Sequence, residues 1–243
     1  MRLIPLIGLI IIASCHLLIT LPSLIYHGLS NLYYRCITPP PSTIVLKDKN
    51  VIVFVHGRGG HHSNFVPLIN NIKPKISNRY YLRTVDLGDT RNTSIDEDMF
   101  KLKGALDIYP DCAITLVGLS KGGVDTMRYV TYFNMDTRIE RVITISSPLR
   151  GTRITGLLSK ESITNKELGY RSKITRHIKT IGINIPVYHI VPTWDHLIIP
   201  TSSAYYRSTE EERIYYYTGL FNHVGITYSK DVAIAIVSWI PPL

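Results

Sequence analysis

The 243-residue chain has only three cysteines and no CxxC or CxxH pattern. A disulfide scaffold is thereby excluded, and nothing signals a structural zinc site. A G-x-x-x-x-G-K-[ST] loop is absent, so the glycine-rich stretch near residue 57 is not a nucleotide-phosphate cradle. Internal repeats and low-complexity tracts are also missing. The longest absence lies at the front. From Leu3 to Tyr34 there is no Asp, Glu, Lys or Arg.

That uncharged run is about the length that spans a hydrocarbon layer as a helix, and Arg2 precedes it as in a signal sequence. Residues 1–40 therefore read as a signal peptide or an uncleaved membrane anchor, and the chain as exported or membrane-associated. Arg2 lies before the run and Arg35, Lys47 and Lys49 after it, so flanking charge does not set an orientation. Cys36 and Cys112 could pair only in an oxidising compartment.

The whole chain is 45% apolar, enough for a globular core, and from residue 41 onward it is written as an alternation of short β-rich runs and helical segments. Strands are expected at 43–46, 51–55, 80–87, 113–117, 142–145, 186–191 and 213–218. Helices are expected at about 64–73, 95–108, 121–133 and 231–239. This alternation predicts an α/β domain over 41–243, with a mostly parallel sheet of six to seven strands and helices on both faces.

The chemistry begins at Gly118-Leu119-Ser120-Lys121-Gly122, a G-x-S-x-G match between a buried strand and a helix. A turn that sharp excludes bulky neighbours and presents the serine hydroxyl above the sheet edge. Val55-His56-Gly57-Arg58-Gly59-Gly60 follows an earlier strand, and its backbone can approach a substrate closely. The N–H groups of Arg58 and Lys121 would then make a two-donor oxyanion hole.

A nucleophilic serine needs a base, and the base an orienting acid. Asp195 follows the strand at 186–191, and His223 follows the strand at 213–218. The order Ser120, Asp195, His223 is that of a nucleophile elbow followed by an acid loop and a histidine loop. Among rival bases, His196 adjoins Asp195 and cannot easily be oriented by it while reaching Ser120. His189 lies within a strand, His177 in a basic helix, and His61 and His62 beside the glycine loop.

HGRGG (56–60), GLSKGG (118–123), ISSPLRGT (145–152), WDHLIIPTSSA (194–204) and NHVGITYS (222–229) together resemble the α/β-hydrolase superfamily, most closely its small lipase and esterase branch. The resemblance covers about residues 50–240. It implies a serine hydrolase of carboxylic esters working through an acyl-enzyme, with Ser120, Asp195 and His223 as triad, Arg58 and Lys121 as backbone oxyanion donors, and no metal or cofactor. Two positions depart from the pattern. Leu149 stands where bacterial lipases often have His, and Lys121 where Met or Gln is common. A thioesterase or amidase of the same fold, or a non-catalytic tethered domain, remains the alternative.

The net charge of +9 is concentrated. Residues 150–180 hold eight basic residues against two acidic, two-thirds of the excess. Tyr170, Ile174, Ile178 and Ile181 recur there at helical spacing. This insertion, about 150–182, reads either as a solvated helix packed on the domain or as a lid whose basic face meets anionic lipid. It has little aromatic interleaving, so nucleic acid is not the expected partner; a lipid or ester substrate and a membrane surface are.

Overall fold

Strand β1 (Asn50–Val55) carries Val51, Val53 and Val55 on one face and Ile52 and Phe54 on the other, all buried. A strand apolar on both faces must lie inside a sheet covered by helices on each side. The computed structural model, which describes residues 25–26, 28–157, 161–180, 183–206, 211–219, 223 and 225–242, has that arrangement. β2 (Tyr80–Val85), β3 (Ala113–Leu119), β4 (Ile139–Ile145), β5 (Val187–Pro192) and β6 (Ile214–Tyr217) complete it. The six strands run in the order β2-β1-β3-β4-β5-β6, and every neighbouring pair is parallel.

Residues 28–37 form a helix, α1, ahead of the sheet. On one face of the sheet, α3 (Ile95–Leu106) and α4 (Lys121–Tyr132) pack Met99, Leu102, Val124 and Met127 against the valines of β1. On the other, α2 (Val66–Ile72) and α7 (Lys230–Ser238) bury Leu68, Ile72, Val232 and Ile236 against Ile52 and Phe54. Serine caps start two of these helices. Ser94 Oγ accepts from Glu97 N at 3.0 Å, and Ser229 Oγ accepts from Val232 N at 3.3 Å.

The expected strand at 43–46 does not form. Ile44 and Val45 are exposed, and no strand of the sheet pairs with them. A short apolar run without a partner strand gains no ladder bonds and remains loop. Cys36 is exposed and Cys112 buried, and both thiols are free; Cys112 Sγ donates to Leu46 O. Most of the uncharged front, residues 3–24, lies outside the described residues. Among the described residues no helix is long and apolar enough to cross a membrane.

The basic insertion folds as α5 (Ile163–Glu167) and α6 (Lys173–Thr180). Ile178 is buried and Ile174 partly so, which seats α6 against α4 and α5 as an amphipathic helix. Ile181, the last member of the expected stripe, lies outside the described residues.

The turn from β3 into α4 is packed tightly against backbone. A Cβ on Gly118 would lie 2.6 Å from the Gly122 carbonyl oxygen, and one on Gly122 2.5 Å from that of His56. Both obstacles are backbone, so neither can swing aside. Gly122→Ala is expected to destabilise the fold by about 3 kcal/mol, read as a lower urea midpoint with an unchanged slope.

Candidate active site

Ser120 sits between β3 and α4 with φ 54° and ψ −123°, a backbone conformation that costs a non-glycine residue energy. The strain is held by its surroundings: Ser120 N donates to Ile145 O at 2.9 Å, and Gly123 N to Ser120 O at 3.1 Å. The side chain is thereby lifted above the carboxyl ends of the strands, where open α/β sheets place their sites. Asp195 follows β5 and His223 follows β6, on the same edge.

The fold brings these three residues into one chain of contacts. His223 Nε2 lies 2.7 Å from Ser120 Oγ, and His223 Nδ1 2.8 Å from Asp195 Oδ2. Asp195 and His223 are each only 7% exposed. Burial alone would raise the Asp195 carboxyl, but the His223 imidazole and the hydrogen bonds from Ser146 and Leu197 N outweigh it and hold it below the ordinary range. Leu197 N and Ile198 N donate to Asp195 Oδ1 at 2.8 and 3.1 Å. The carboxylate is therefore fixed in orientation and charged, as an acid that aligns an imidazole must be.

Ser146 was not picked out from the sequence. Its hydroxyl donates to Asp195 Oδ2 and lies 3.0 Å from His223 Nδ1. It follows β4 with φ 49° and is completely buried. The only hint was its place at a strand's C-terminal end in Ile145-Ser146-Ser147-Pro148.

His56 is a second residue whose role only the structure reveals. It is fully buried, and its Nε2 accepts from Leu87 N at 3.0 Å while Nδ1 lies 3.0 Å from Gly57 O. The acceptor role of Nε2 places the proton on Nδ1, so burial leaves a neutral ring, with its pKa lowered. His56 thus ties the end of β1 to the end of β2. The Gly57 carbonyl also accepts from Thr90 Oγ1 at 2.8 Å and from Gly60 N at 3.0 Å. With that carbonyl held on one side, the trans peptide turns the Arg58 N–H the opposite way. Gly57 itself lies against Ser120 and Lys121: a Cβ there would be 2.9 Å from Ser120 Cβ and 3.4 Å from Lys121 N. The Arg58 side chain reaches outward, its Nε donating to Arg91 O at 3.2 Å.

Lys121, the departure beside the nucleophile, is wholly buried, as are Asp98 of α3 and Asp125 of α4. Its Nζ donates to Asp98 and, at 3.3 Å, to Asp125. Thr93 Oγ1 and Lys101 Nζ also donate to Asp98. Burial pushes the Asp125 carboxyl up to about 7, against the pull of Lys121. Lys121 therefore anchors the first turn of α4 from below, while its backbone faces the Gly57 loop.

Ser120 and His223 open into a cavity of about 450 Å³ with mostly apolar walls, including Leu119, Ile154, Leu168, Leu197 and Ile198. Thr152, Ile154, Thr155, Asn165 and Leu168 of the insertion supply one wall, and Leu32 and Arg35 of α1 another. Among the described residues, none of the basic helix α6 lines the cavity. Of the rival histidines, His61 borders the cavity and His189 is buried in the sheet beside Thr144, 2.8 Å from its hydroxyl.

No family model matches the sequence, and no curated protein matches it. Solved structures do. A pair of metagenome-derived lipolytic enzymes, LipS and LipT, is represented by a structure 14% identical over 82% of this chain and 95% of that one, at a TM-score of 0.60. The chain has the α/β-hydrolase fold. Two further α/β-hydrolase matches are the mature Bacillus licheniformis lipase BlEst2, 15% identical over 80% and 94% with TM-score 0.60, and a Paleococcus ferrophilus monoacylglycerol lipase, 18% identical over 79% and 95% with TM-score 0.56.

Within this α/β-hydrolase fold, Lys121→Met is expected to cost about 3–5 kcal/mol by leaving the buried Asp125 without its cation and Asp98 with Lys101 alone. Denaturant titration checks this, and adding Asp98→Asn and Asp125→Asn should return part of the loss. The raised Asp125 pKa also gives a pH signature. Between about pH 4 and 7 the folded state keeps a proton that the unfolded chain releases, so this group's contribution to stability falls as pH rises through that window. Asp125→Asn should remove that component from the melting temperature measured against pH.

Proposed function

We propose that the chain is a serine hydrolase of carboxylic esters, of lipase or esterase type, that takes its substrates from a membrane surface. The observation that carries the reading is the hydrogen-bonded sequence Ser120–His223–Asp195 opening into an apolar cavity. A hydroxyl, an imidazole and a buried carboxylate in this order are what acyl transfer requires, and an apolar cavity suits an acyl chain.

In this mechanism His223 Nε2 takes the Ser120 proton as Oγ attacks the ester carbonyl carbon. Asp195 and Ser146 keep the imidazole aligned, and Asp195 stabilises the imidazolium. The Arg58 and Lys121 N–H groups receive the oxyanion; one such donor is worth roughly 10²–10³ in rate. His223 then protonates the departing alcohol, leaving an acyl group on Ser120. Water, deprotonated by His223, attacks that ester, and Ser120 leaves with its proton restored. The lipolytic matches support an ester substrate, and the open, apolar cavity favours esters over a tightly recognised amide.

The membrane part of the reading rests on α1. Leu29, Leu32 and Tyr33 are 64%, 57% and 60% exposed, and Ile25, Tyr26 and Ile37 add to the same apolar surface. This helix continues from the uncharged front of the sequence and borders the cavity. An anchored chain would bring the cavity mouth down to the lipid headgroups, with Thr152, Ile154, Thr155, Asn165 and Leu168 as its covering wall.

Ser120→Ala should abolish hydrolysis of p-nitrophenyl esters and labelling by a fluorophosphonate probe, with the melting curve preserved. Retained turnover would refute the assignment. Leu29→Ser combined with Tyr33→Ser should lower the rate on phospholipid vesicles at least tenfold and leave the rate on a soluble short-chain ester unchanged.

A further inference from the structure

His61, His62 and Asp86 stand together beside the cavity but take no part in the proposed chemistry. One ligand-capable atom from each lies within 4.8 Å of the other two. We propose that they form a divalent transition-metal site, best matched to zinc, that clamps the 57–60 loop to the end of β2.

Two imidazoles and one carboxylate are a zinc ligand set that leaves a fourth position for water. Tetrahedral zinc places its ligand atoms about 3.3 Å apart, so side-chain rotation of roughly 1.5 Å would close the site without moving backbone. His62 is only 3% exposed, and its neighbour is the His61 ring, 4.0 Å away between centroids.

Asp86 points the same way. Among the described residues it has no Lys or Arg partner, and its ion-pair neighbours are His56 Nε2 at 3.5 Å and His61 Nε2 at 3.9 Å. His56 Nε2 already accepts the Leu87 N–H and so offers Asp86 no proton. Asp86 Oδ1 accepts Gly88 N, while Oδ2 faces His61. His61 is oriented from behind: its Nδ1 accepts from Ser63 N at 3.3 Å and lies 2.8 Å from Ser63 Oγ, which turns Nε2 toward Asp86 Oδ2, where zinc would take the place of the Nε2 proton. Arg35 of α1 is an opposing charge near His61, but its side chain is exposed and can turn to solvent.

The site would join two loops that already share hydrogen bonds. Gly59 N donates to Thr90 Oγ1, and Arg58 to Arg91 O. A metal would add a stronger tie at the other end of the same junction, next to the backbone proposed to receive the oxyanion.

The test uses the full-length, untagged chain in detergent, stripped with a chelator and titrated with zinc chloride. Calorimetry should give one zinc per chain, with a melting temperature that rises as zinc saturates. Asp86→Asn and His62→Ala should each weaken binding at least tenfold, while His177→Ala, on the exposed side of α6, binds as the unaltered chain does. Asp86 is exposed, so its variant remains informative if His62→Ala fails to fold. Absence of saturable one-to-one binding, or unchanged affinity in Asp86→Asn, overturns the proposal.

Discussion

The close backbone approach between the end of β1 and the first turn of α4 is the constraint on which the rest depends. Gly122 has no room for a Cβ because the His56 carbonyl occupies that space, and Gly118 none because the start of α4 does. Only with both glycines in place can the chain reverse from β3 into α4 within one residue. That reversal forces Ser120 into its left-handed backbone and lifts its hydroxyl off the sheet. The same contact brings Gly57 against Ser120 and Lys121, so the nucleophile and the glycine loop are set by one packing event rather than two.

Two polar networks hold this geometry from opposite sides. Below the turn, Lys121 joins Asp98 and Asp125 and ties α4 to α3. Lys121 would be an expensive residue to bury alone, and its partners come from two helices that only the folded chain brings together. Above the turn, Asp195 is held by two backbone N–H groups and Ser146, and it holds His223 in turn. One network positions a backbone and the other an imidazole beside a hydroxyl. Neither repeats the other's work, which is why a buried lysine can follow the serine without disturbing the hydroxyl.

The uneven charge and hydropathy of the sequence also acquire a place. The uncharged front runs into α1, and α1 borders the cavity. The basic excess is spread along the insertion, with Lys173, Arg176 and Lys179 on α6, which packs on α4 and α5. The residues of the insertion that border the cavity, Thr152, Ile154, Thr155, Asn165 and Leu168, precede that helix. The charge pattern marked the insertion as a whole as a solvated helix or a lid. An amphipathic helix needs a partner for its apolar stripe, and α4 supplies one without involving the site.

Much of this protein could be read from its sequence because the signals are local. Period-two and buried apolar runs mark the six strands, and serine caps mark helix starts. The spacing of glycines around Ser120 marks a turn that tolerates nothing larger. Asp195 and His223 were recognisable because each directly follows a strand. The run at 43–46 had the same local signal and formed no strand, because a strand exists only where a neighbouring strand completes its hydrogen bonds. Ser146, His56 and the His61–His62–Asp86 group carry no motif. Their contacts join residues 24 to 77 positions apart at one sheet edge, and parallel crossover topology alone decides that meeting. Sequence by itself determined the elements and the order of the reactive groups; the tertiary structure decided which distant polar atoms would share a buried space.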